Sequence, residues 1–441
     1  MPGAVASSGA VNSMAEQLAA PNQNQPNGSR SQVMIRFSAG ADNVSPEYAL
    51  SDNSVRDMVN VAVDRSGGIR VRNGLRALSA GTYHSLFSLS SGGYLVVDGG
   101  SLLHVKGGVV TAVESVSAHG RVRYCERGDE VFWTDGQTTG RVVASGSGSF
   151  WGLSCPPTPV ITTTQGALSA GRYLISHTAV CGGVESGAPT PTLVELTSTG
   201  GLVYMAPKAT AGISFNVYLS PPSGAVSDLR RVASGVMPET TTILRDKEGM
   251  RLRSFLAEKP YPGQLLADHG GRLWIASGAT LWFTDSESPH WLFPSEGYFL
   301  LPEPITLLVS VEDGLFVGSA TQTWFLRGTR PSDMSLQHAA PFGAVLGTGT
   351  TRVPFDIFGN DGAPCAVWID SVGVLCLGRM GGSIKRITEN RYRIGPASSG
   401  EIAFGVFSGV RQLLVLLDAP RPGVGARVDT PISVTYNYGL T

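Results

Sequence analysis

The chain has 441 residues, with 56 glycines, 27 prolines, 42% hydrophobic residues, 15% charged residues and a net charge of −1. Average soluble domains carry about 7% glycine and about 25% charged residues, so this chain is rich in glycine and poor in charge. The composition excludes a wholly disordered chain, which combines low hydrophobicity with high net charge. It also excludes long lysine-rich helices, since lysine occurs only five times. No apolar run approaches the ~18 residues of a membrane span, so we expect no membrane segment.

The N-terminal segment, residues 1–31, consists mostly of Ala, Ser, Asn, Gln, Pro and Gly and includes the tract PNQNQPNGSR. Such a segment cannot bury enough apolar surface to fold alone, so we predict a flexible N-terminal arm. It lacks a basic stretch followed by a sustained apolar core, and we therefore expect no signal peptide.

Residues 32–80 predict an extended strand, a short polar helix near Ser54–Met58 and two strands around a Gly67-Gly68 turn. Five arginines give this segment a local positive balance. Because arginine forms bidentate contacts with carboxylates, they are candidates for an assembly contact with an acidic neighbour. Solvated faces of the two strands are an equally good interpretation. The candidates are Arg56, Arg65, Arg70, Arg72 and Arg76.

From residue 81 onward one pattern recurs: a short apolar strand, a turn of Gly, Asp or Ser, and a second apolar strand. Short apolar runs separated by turn residues indicate buried strands in hairpins. The instances are GGYLVVDGGSLLHV from Gly92, DEVFWTDGQTTGRVV from Asp129, GGRLWIASGATLWFTD from Gly270, EDGLFVGSATQTWFLRG from Glu312, PCAVWIDSVGVLCL from Pro364, and RQLLVLLD from Arg411 with ISVTYNYG near the terminus.

The spacing of these hairpins predicts a β-propeller of about six blades. Comparable strand positions mostly recur close to the ~40–50 residues of a four-stranded blade, and radial closure leaves only short, protected edges. We also expect the strand at Ile69–Arg72 to pair with the last blade and so join the two chain ends. The comparable positions are Tyr94, Val131, Leu273, Leu315, Val367 and Leu413, with one long interval between Val131 and Leu273.

That long interval contains a segment of different character, residues 156–250, which is rich in Pro and Thr. Short alternating strands with frequent turns over ~95 residues predict an inserted immunoglobulin-like or fibronectin-like sandwich. Tyr173, Tyr204 and Tyr218 are predicted to lie in or beside its core. The domain prediction is an arm at 1–31, N-terminal strands and first blades at 32–155, the sandwich at 156–250, and the remaining blades at 251–441.

No motif with catalytic or metal-binding spacing stands out, and we predict no enzyme activity, no cofactor and no metal site. The five cysteines form no CxxC pair, which favours reduced, buried thiols. Neighbouring carboxylates and an Asp-rich loop are interpreted as turn formers, and His269, beside Asp268, as a turn-capping or solvent-facing residue. The carboxylates are Asp285 with Glu287 and Glu312 with Asp313, and the loop contains Asp356, Asn360 and Asp361.

The tryptophans are predicted mainly to pack in cores or interfaces. Four fall within predicted strands, namely Trp274, Trp282, Trp324 and Trp368, and Trp151 and Trp291 lie near loops. The segment PHWLFP offers a second interpretation, an aromatic ring for stacking on a sugar. Packing is the favoured interpretation for all of them.

Two segments resemble bacteriophage tail proteins. DMVNVAVDRSGGIRVRNGLRAL, from Asp57, is similar to the N-terminal region of many such proteins, in which an asparagine, here Asn60, precedes a strand, a Gly-containing turn and an Arg-rich strand with Arg70 and Arg72. GGRLWIASGATLWFTDSESPHWLFP, from Gly270, resembles their blade motif, in which a strand ending in "tD" or "sD" leads to a proline and an aromatic residue. With the predicted insert, the chain resembles the propeller-type nozzle, or tail tubular, proteins of short-tailed phages.

The resemblance implies a ring in the virion tail, expected to be a homohexamer, below the portal and adaptor proteins. Such a subunit is made in the host cytoplasm and supports tail fibres or spikes. Genomic DNA passes through the lumen without specific binding, and near-neutral charge suits a conduit because each basic group that neutralises a phosphate strengthens binding. Two alternatives stay open: a hub or baseplate protein of a longer-tailed phage, and a carbohydrate-binding or carbohydrate-cleaving propeller for host attachment.

Overall fold

The computed structural model of the chain describes residues 37–58, 61–63, 68–71, 80–117, 120–246, 249–354, 365–407, 410–418 and 432–437. These residues form an all-β structure of strands and short 3₁₀ segments, without an α-helix, as the composition predicts. In these ranges we find no helix with the length and apolar character needed to cross a membrane. The chain divides into two compact units, one of Met1–Asp42 with Pro46–Asn73 and the other of Asn43–Ser45 with Gly74–Thr441.

The smaller unit contains two pairs of short strands. Strand β1 (Gly40–Ala41) pairs in parallel with β2 (Ser54–Val55), so the predicted helix near Ser54–Met58 is wrong. The β-branched Val55 favours a strand, and its carbonyl accepts a hydrogen bond from the N–H of Asp42 at 2.8 Å. Strand β3 (Val61–Val63) is antiparallel to β4 (Ile69–Val71), which confirms the predicted hairpin. The predicted pairing of Ile69–Arg72 with the last sheet is wrong, because in the described residues β4 pairs with β3.

Outside the segment 156–250, the described residues of the larger unit form six antiparallel sheets in which each strand pairs with the next along the chain. All six predicted hairpins are present. We call these the first to sixth meander sheets. Their strands are β5 (Tyr83–Ser88), β6 (Tyr94–Asp98), β7 (Ser101–Lys106) and β8 (Val109–Ser115); β9 (Arg123–Arg127), β10 (Glu130–Thr134), β11 (Thr139–Val142) and β12 (Gly148–Ser149); β21 (Leu265–His269), β22 (Arg272–Ser277), β23 (Thr280–Phe283) and β24 (Tyr298–Leu300); β25 (Leu307–Val311), β26 (Gly314–Gly318), β27 (Thr323–Arg327) and β28 (Ser335–Ala340); β29 (Ala366–Ile369), β30 (Leu375–Gly378) and β31 (Ile384–Arg386); and β32 (Ser399–Phe407), β33 (Val410–Asp418) and β34 (Ile432–Asn437).

Each meander sheet shares a hydrophobic cluster with the next one along the chain. Apolar residues that alternate along central strands supply both faces of a sheet, so one strand contributes to two clusters. Trp274, Trp324 and Trp368 are buried in these clusters, as predicted, while Trp282 is half-buried. Representative pairs, in chain order, are Leu95 with Trp133, Phe132 with Ile275, Trp274 with Trp324, Phe316 with Trp368, and Val367 with Leu413.

Glycine is required where two hairpins approach each other closely. Gly270, in the turn between β21 and β22, has φ +58°, and a Cβ there would lie 2.0 Å from the carbonyl oxygen of Thr329. Any other residue would be strained by the backbone angle and would clash with the turn of the next sheet. The high glycine content therefore reflects packing between turns as well as the turns themselves.

The segment between the second and third meander sheets forms two antiparallel sheets around one core. The three-stranded sheet has the order β13-β17-β20, and in the five-stranded sheet β14 is central. Tyr173 and Tyr204 lie in the shared core and Tyr218 is buried beside it, as predicted. The strands are β13 (Val160–Leu168), β14 (Gly171–Cys181), β15 (Val184–Glu185), β16 (Thr192–Leu196), β17 (Gly200–Met205), β18 (Ser214–Leu219), β19 (Arg230–Val236) and β20 (Thr241–Leu244).

Residues far apart in the chain meet at Asn43. Its side-chain amide donates to the carbonyl oxygen of Arg393 at 2.8 Å, and its side-chain oxygen accepts from the N–H of Arg393 at 2.9 Å. The backbone N–H of Asn43 also donates to the carbonyl oxygen of Arg391. Asn43 therefore binds the segment that leads into β32 by three hydrogen bonds.

Candidate functional site

Of the five predicted assembly arginines, only Arg56 and the backbone of Arg70 lie in the described residues. Arg56 is half-buried in the smaller unit, and the backbone of Arg70 lies in β4. Arg65, Arg72 and Arg76 lie outside the described residues, as do Asp356, Asn360 and Asp361 of the proposed turn. An assembly contact through these arginines stays a prediction.

The predicted turn carboxylates do act in turns. The N–H of Glu287 donates to a carboxylate oxygen of Asp285 at 2.8 Å. The carboxylate of Asp313, in the turn before β26, accepts the N–H of Gly381 at 2.8 Å. These geometries satisfy backbone donors in loops and provide no acid–base pair for sugar cleavage.

His269 does not face solvent, so that alternative is wrong; its side chain instead bonds Gly328 at the start of the turn between β27 and β28. The residue ends β21 and is only 5% exposed, because alternate residues of this strand face the packed interior. Its Nε2 donates to the carbonyl oxygen of Gly328 at 2.7 Å, so its Nδ1 accepts the Ser310 hydroxyl at 3.0 Å. Asp268, the next residue along the strand, points to the opposite face. A Ser–His–Asp triad is therefore not formed by these residues.

None of the five cysteines, all of which lie in the described residues, forms a disulfide bond. Cys125, Cys365 and Cys376 are buried as predicted, whereas Cys181 is half-buried and Cys155 is exposed. Burial raises the pKa of the Cys125 thiol to about 12, which keeps it protonated and unreactive at neutral pH. In the described part of the chain, no three His, Cys, Asp or Glu side chains are grouped to hold a metal ion.

The segment that resembles the phage blade motif forms the attachment of the sandwich to the third meander sheet. The Trp291 indole donates to the carbonyl oxygen of Glu185 at 2.7 Å, across 106 residues of sequence. The Trp151 indole, just before the sandwich, donates to the carbonyl oxygen of Pro289 at 2.8 Å. His290 in turn donates through Nδ1 to the carbonyl oxygen of Trp151. Pro289, His290 and Trp291 thus bind both the entry to the sandwich and its five-stranded sheet.

Glu185 connects this attachment to the interior of the five-stranded sheet. One oxygen of its carboxylate accepts hydrogen bonds from Asn216 at 3.1 Å, from the Tyr218 hydroxyl at 2.7 Å and from the Thr178 hydroxyl. Burial and the nearby Glu185 charge raise the pKa of Tyr218, so the phenol stays a donor. Three strands, β14, β15 and β18, are therefore held by one carboxylate.

The chain leaving the sandwich also runs along it. Ala188 donates to Ser254 at 2.8 Å and accepts from Leu256 at 3.1 Å through backbone groups. Gly187 permits this approach, since a Cβ there would lie 1.6 Å from the carbonyl oxygen of Ala257. Further along, Glu258 exchanges two backbone hydrogen bonds with Leu292. Trp151 at the entry, Glu185 in the middle and Glu258 at the exit of the sandwich are therefore all bonded to residues 289–292. We call this set of contacts the sandwich joint.

A second group of polar contacts connects the first strands of different meander sheets. The Arg352 guanidinium lies 3.9 Å from the ring centre of Phe87 and pairs with Glu126 at 2.9 Å. Arg123 pairs with Glu401 at 3.0 Å. These contacts join β5, β9 and β32 and the segment before β29, and they stabilise the arrangement of the sheets.

Sequence reasoning missed the sandwich joint, although it identified PHWLFP as unusual. Trp291 uses its indole N–H internally, which supports the interface interpretation over sugar stacking. No local pattern marks Glu185 as the partner, because the two residues meet only after the sandwich and the third sheet have folded. An aromatic residue in a loop after a proline was the one available signal.

Comparisons with known proteins identify no family. No protein-family model matches the sequence, and no curated protein matches it. Among solved structures, the chain is similar to BBS1N in a complex with ARL6DN, with 14% identity, a TM-score of 0.32 and coverage of 77% of this chain and 90% of that chain. It is similar to apo AztD from Citrobacter koseri, with 11% identity, a TM-score of 0.33 and coverage of 81% and 90%. A third similar structure is the AfRom2 CNH domain, with 8% identity, a TM-score of 0.26 and coverage of 81% and 95%. Similarities this low support no functional argument.

Proposed function

We propose that the chain is a structural subunit of a bacteriophage tail. It forms a ring below the portal and adaptor, continues the DNA ejection channel and supports fibres or spikes. The observation that carries the proposal is the sandwich joint, because the segment from Gly270 that resembles the phage blade motif is the one that binds the inserted sandwich. Thr284, directly after β23, exchanges two hydrogen bonds with Leu273 of β22, and Asp285 starts the turn that presents Pro289 and Trp291.

The finer fold belongs to this proposal: a six-bladed propeller with an immunoglobulin-like or fibronectin-like insert. Consecutive antiparallel strands and packing of each sheet on the next are typical of blades. The second and third meander sheets pack together despite the sandwich between them in sequence, which supports an insertion within a propeller. In the sandwich the chain alternates between the two sheets, as it does in immunoglobulin-like folds.

The charge supports a conduit that does not retain DNA. A net charge of −1 gives no general attraction to phosphates. Low charge also suits a subunit that hides much of its surface against neighbours. A function without catalysis is consistent with the internal roles found for His269 and Asp285.

Electron microscopy of the purified protein over a range of concentrations tests the proposal. We expect closed rings, with six copies as the expected number, and the protein in mass spectra of purified virions. A strictly monomeric protein that is missing from virions contradicts it. Antibody labelling of whole virions separates a nozzle from a hub or baseplate position. Release of sugar from host polysaccharide would instead establish the carbohydrate-cleaving alternative.

A further inference from the structure

The outer strand of the three-stranded sandwich sheet has an open edge. β13 pairs with β17 on one side, and in the described residues its backbone has no strand partner on the other side. From Thr162 to Ala167 every side chain is exposed, on both faces of the strand. A row of unpaired N–H and C=O groups is a template for pairing with a further strand.

This edge lacks the usual protection by charge. The sequence contains no Asp, Glu, Lys, Arg or His between Arg141 and Arg172, and β13 lies within that interval. Proteins normally protect exposed edges with charged side chains, above all lysine. Two other outer strands of this chain do so: β8 carries Glu114 and β31 carries Lys385. A long edge without charge is therefore suited to a specific partner.

The exposed face of the same sheet is also uncharged. The register places Val160 beside Met205, and Thr162 beside Val203 and Ile243. Val160, Met205 and Ile243 are 52%, 47% and 56% exposed. None of the residues of β13, β17 and β20 carries a charge. A charged partner would lose the hydration of its charges on this surface and gain no opposite charge in return. The surface therefore best matches a partner whose strand and face are also uncharged.

We propose that a second copy of this chain docks on this edge, with β20 of one copy pairing with β13 of the next. The chain itself supplies the matching strand, because β20 lies at the opposite edge of the same sheet and reads TTIL, with Thr241 and Ile243 exposed. Pairing of two different edges is a heterologous contact, which repeats from copy to copy and closes into a ring where the rotation between copies permits, as the proposed tail ring requires. The proposal deepens the proposed tail ring and rests on it for the second copy as occupant.

The test compares two double-lysine variants by sedimentation velocity and mass photometry over a concentration series. Thr162→Lys with Thr164→Lys puts charge on the exposed face of β13. Ser335→Lys with Gln337→Lys, on the exposed outer strand β28, is the matched control. We expect the wild type and the control to assemble alike and the β13 variant to assemble about tenfold more weakly, since burial of unpaired charge opposes docking. Equal assembly of all three overturns the proposal and leaves the ring intact.

Hydrogen exchange of the wild type gives an independent readout if the β13 variant fails to fold. Amides of 161–167 and 241–244 should gain protection together as the concentration rises. Protection of β13 without β20, or assembly that stops at a dimer through two β13 strands, overturns the proposed pairing. A monomeric wild type overturns both the pairing and the ring. If the protein assembles through β13 but is missing from purified virions, the strand pairing is supported and the tail function is refuted.

Discussion

The two sheets of the sandwich differ in charge and in how their polar groups are bonded. In the five-stranded sheet, the Glu185 carboxylate accepts three hydrogen bonds and its carbonyl oxygen accepts the indole of Trp291. The three-stranded sheet contributes Tyr204 to the same core but carries no charge and has an open edge. The five-stranded sheet therefore attaches the sandwich to the third meander sheet, while the three-stranded sheet leaves an edge on which a partner can dock.

The largest expected effect comes from Glu185→Ala. The change leaves Thr178, Asn216 and Tyr218 without their shared acceptor, and we expect it to lower the free energy of unfolding by about 3 kcal/mol. Glu195→Ala is the matched control, because Glu195 lies on β16 of the same sheet in an exposed pair with Arg172, which is worth at most about 0.5 kcal/mol. Urea unfolding measures both. Equal losses would show that the half-buried Glu185 carboxylate does not organise the sheet.

Trp291→Phe tests the joint itself. Phenylalanine keeps most of the ring but loses the N–H that donates to Glu185, so we expect a loss of about 1 kcal/mol. The amide of Ser186 should also exchange faster, because the strand end is less firmly held. Trp282→Phe serves as the control, since in the described part of the chain its indole contacts Tyr261 and Tyr298 through the ring alone. Unchanged exchange at Ser186 contradicts a structural role for the Trp291 hydrogen bond.

The third test uses pH. Burial lowers the pKa of His177, whose Nε2 donates to Pro157 and whose Nδ1 accepts the Tyr204 hydroxyl at 2.6 Å. As pH falls below the ordinary value of 6.5, the unfolded chain binds a proton that the folded imidazole resists, so the free energy of unfolding decreases. We expect His177→Gln to be less stable at pH 8 and to have a shallower loss of stability between about pH 6.5 and 5.

Other histidines also contribute to the dependence of the free energy of unfolding on pH. Burial also lowers the pKa of His104 and His290, but both remain in the variant, so the difference between the two curves isolates His177. Parallel curves for the His177 variant and the wild type would refute a neutral, buried imidazole.

The smallest expected effect is on the three-stranded sheet. In a monomeric sample, Thr162→Lys with Thr164→Lys should change the free energy of unfolding by no more than about 0.5 kcal/mol, because both side chains face solvent. Thr178→Ala, on the five-stranded sheet, should cost about 1–2 kcal/mol since it loses a buried hydrogen bond to Glu185. A larger loss for the lysine variant would place β13 in the packed core and remove the contrast between the sheets.

Local sequence was sufficient for the hairpins and insufficient for what joins them. Apolar runs around Val131 and Leu315, with glycine turns beside them, specify strands whatever their partners. The helix expected near Ser54–Met58 is not formed, because the β-branched Val55 favours a strand and Ser54–Val55 pair with Gly40–Ala41, a partner that the local sequence does not contain. The hydrogen bond of His269 with Ser310 spans 41 residues and that of Trp291 with Glu185 spans 106, and no short pattern contains that information.

The hydrogen bonds of Asn43 have a consequence for the time course of folding. The side chain emerges from the ribosome early, but its partner Arg393 is synthesised 350 residues later. Every earlier sheet can form while translation continues, since contacts within a meander are local. The bonds between Asn43 and Arg393 can form only after the fifth sheet has been made. A nascent chain that stops before this point lacks this contact, so protease sensitivity near Asn43 would report on synthesis past Arg393.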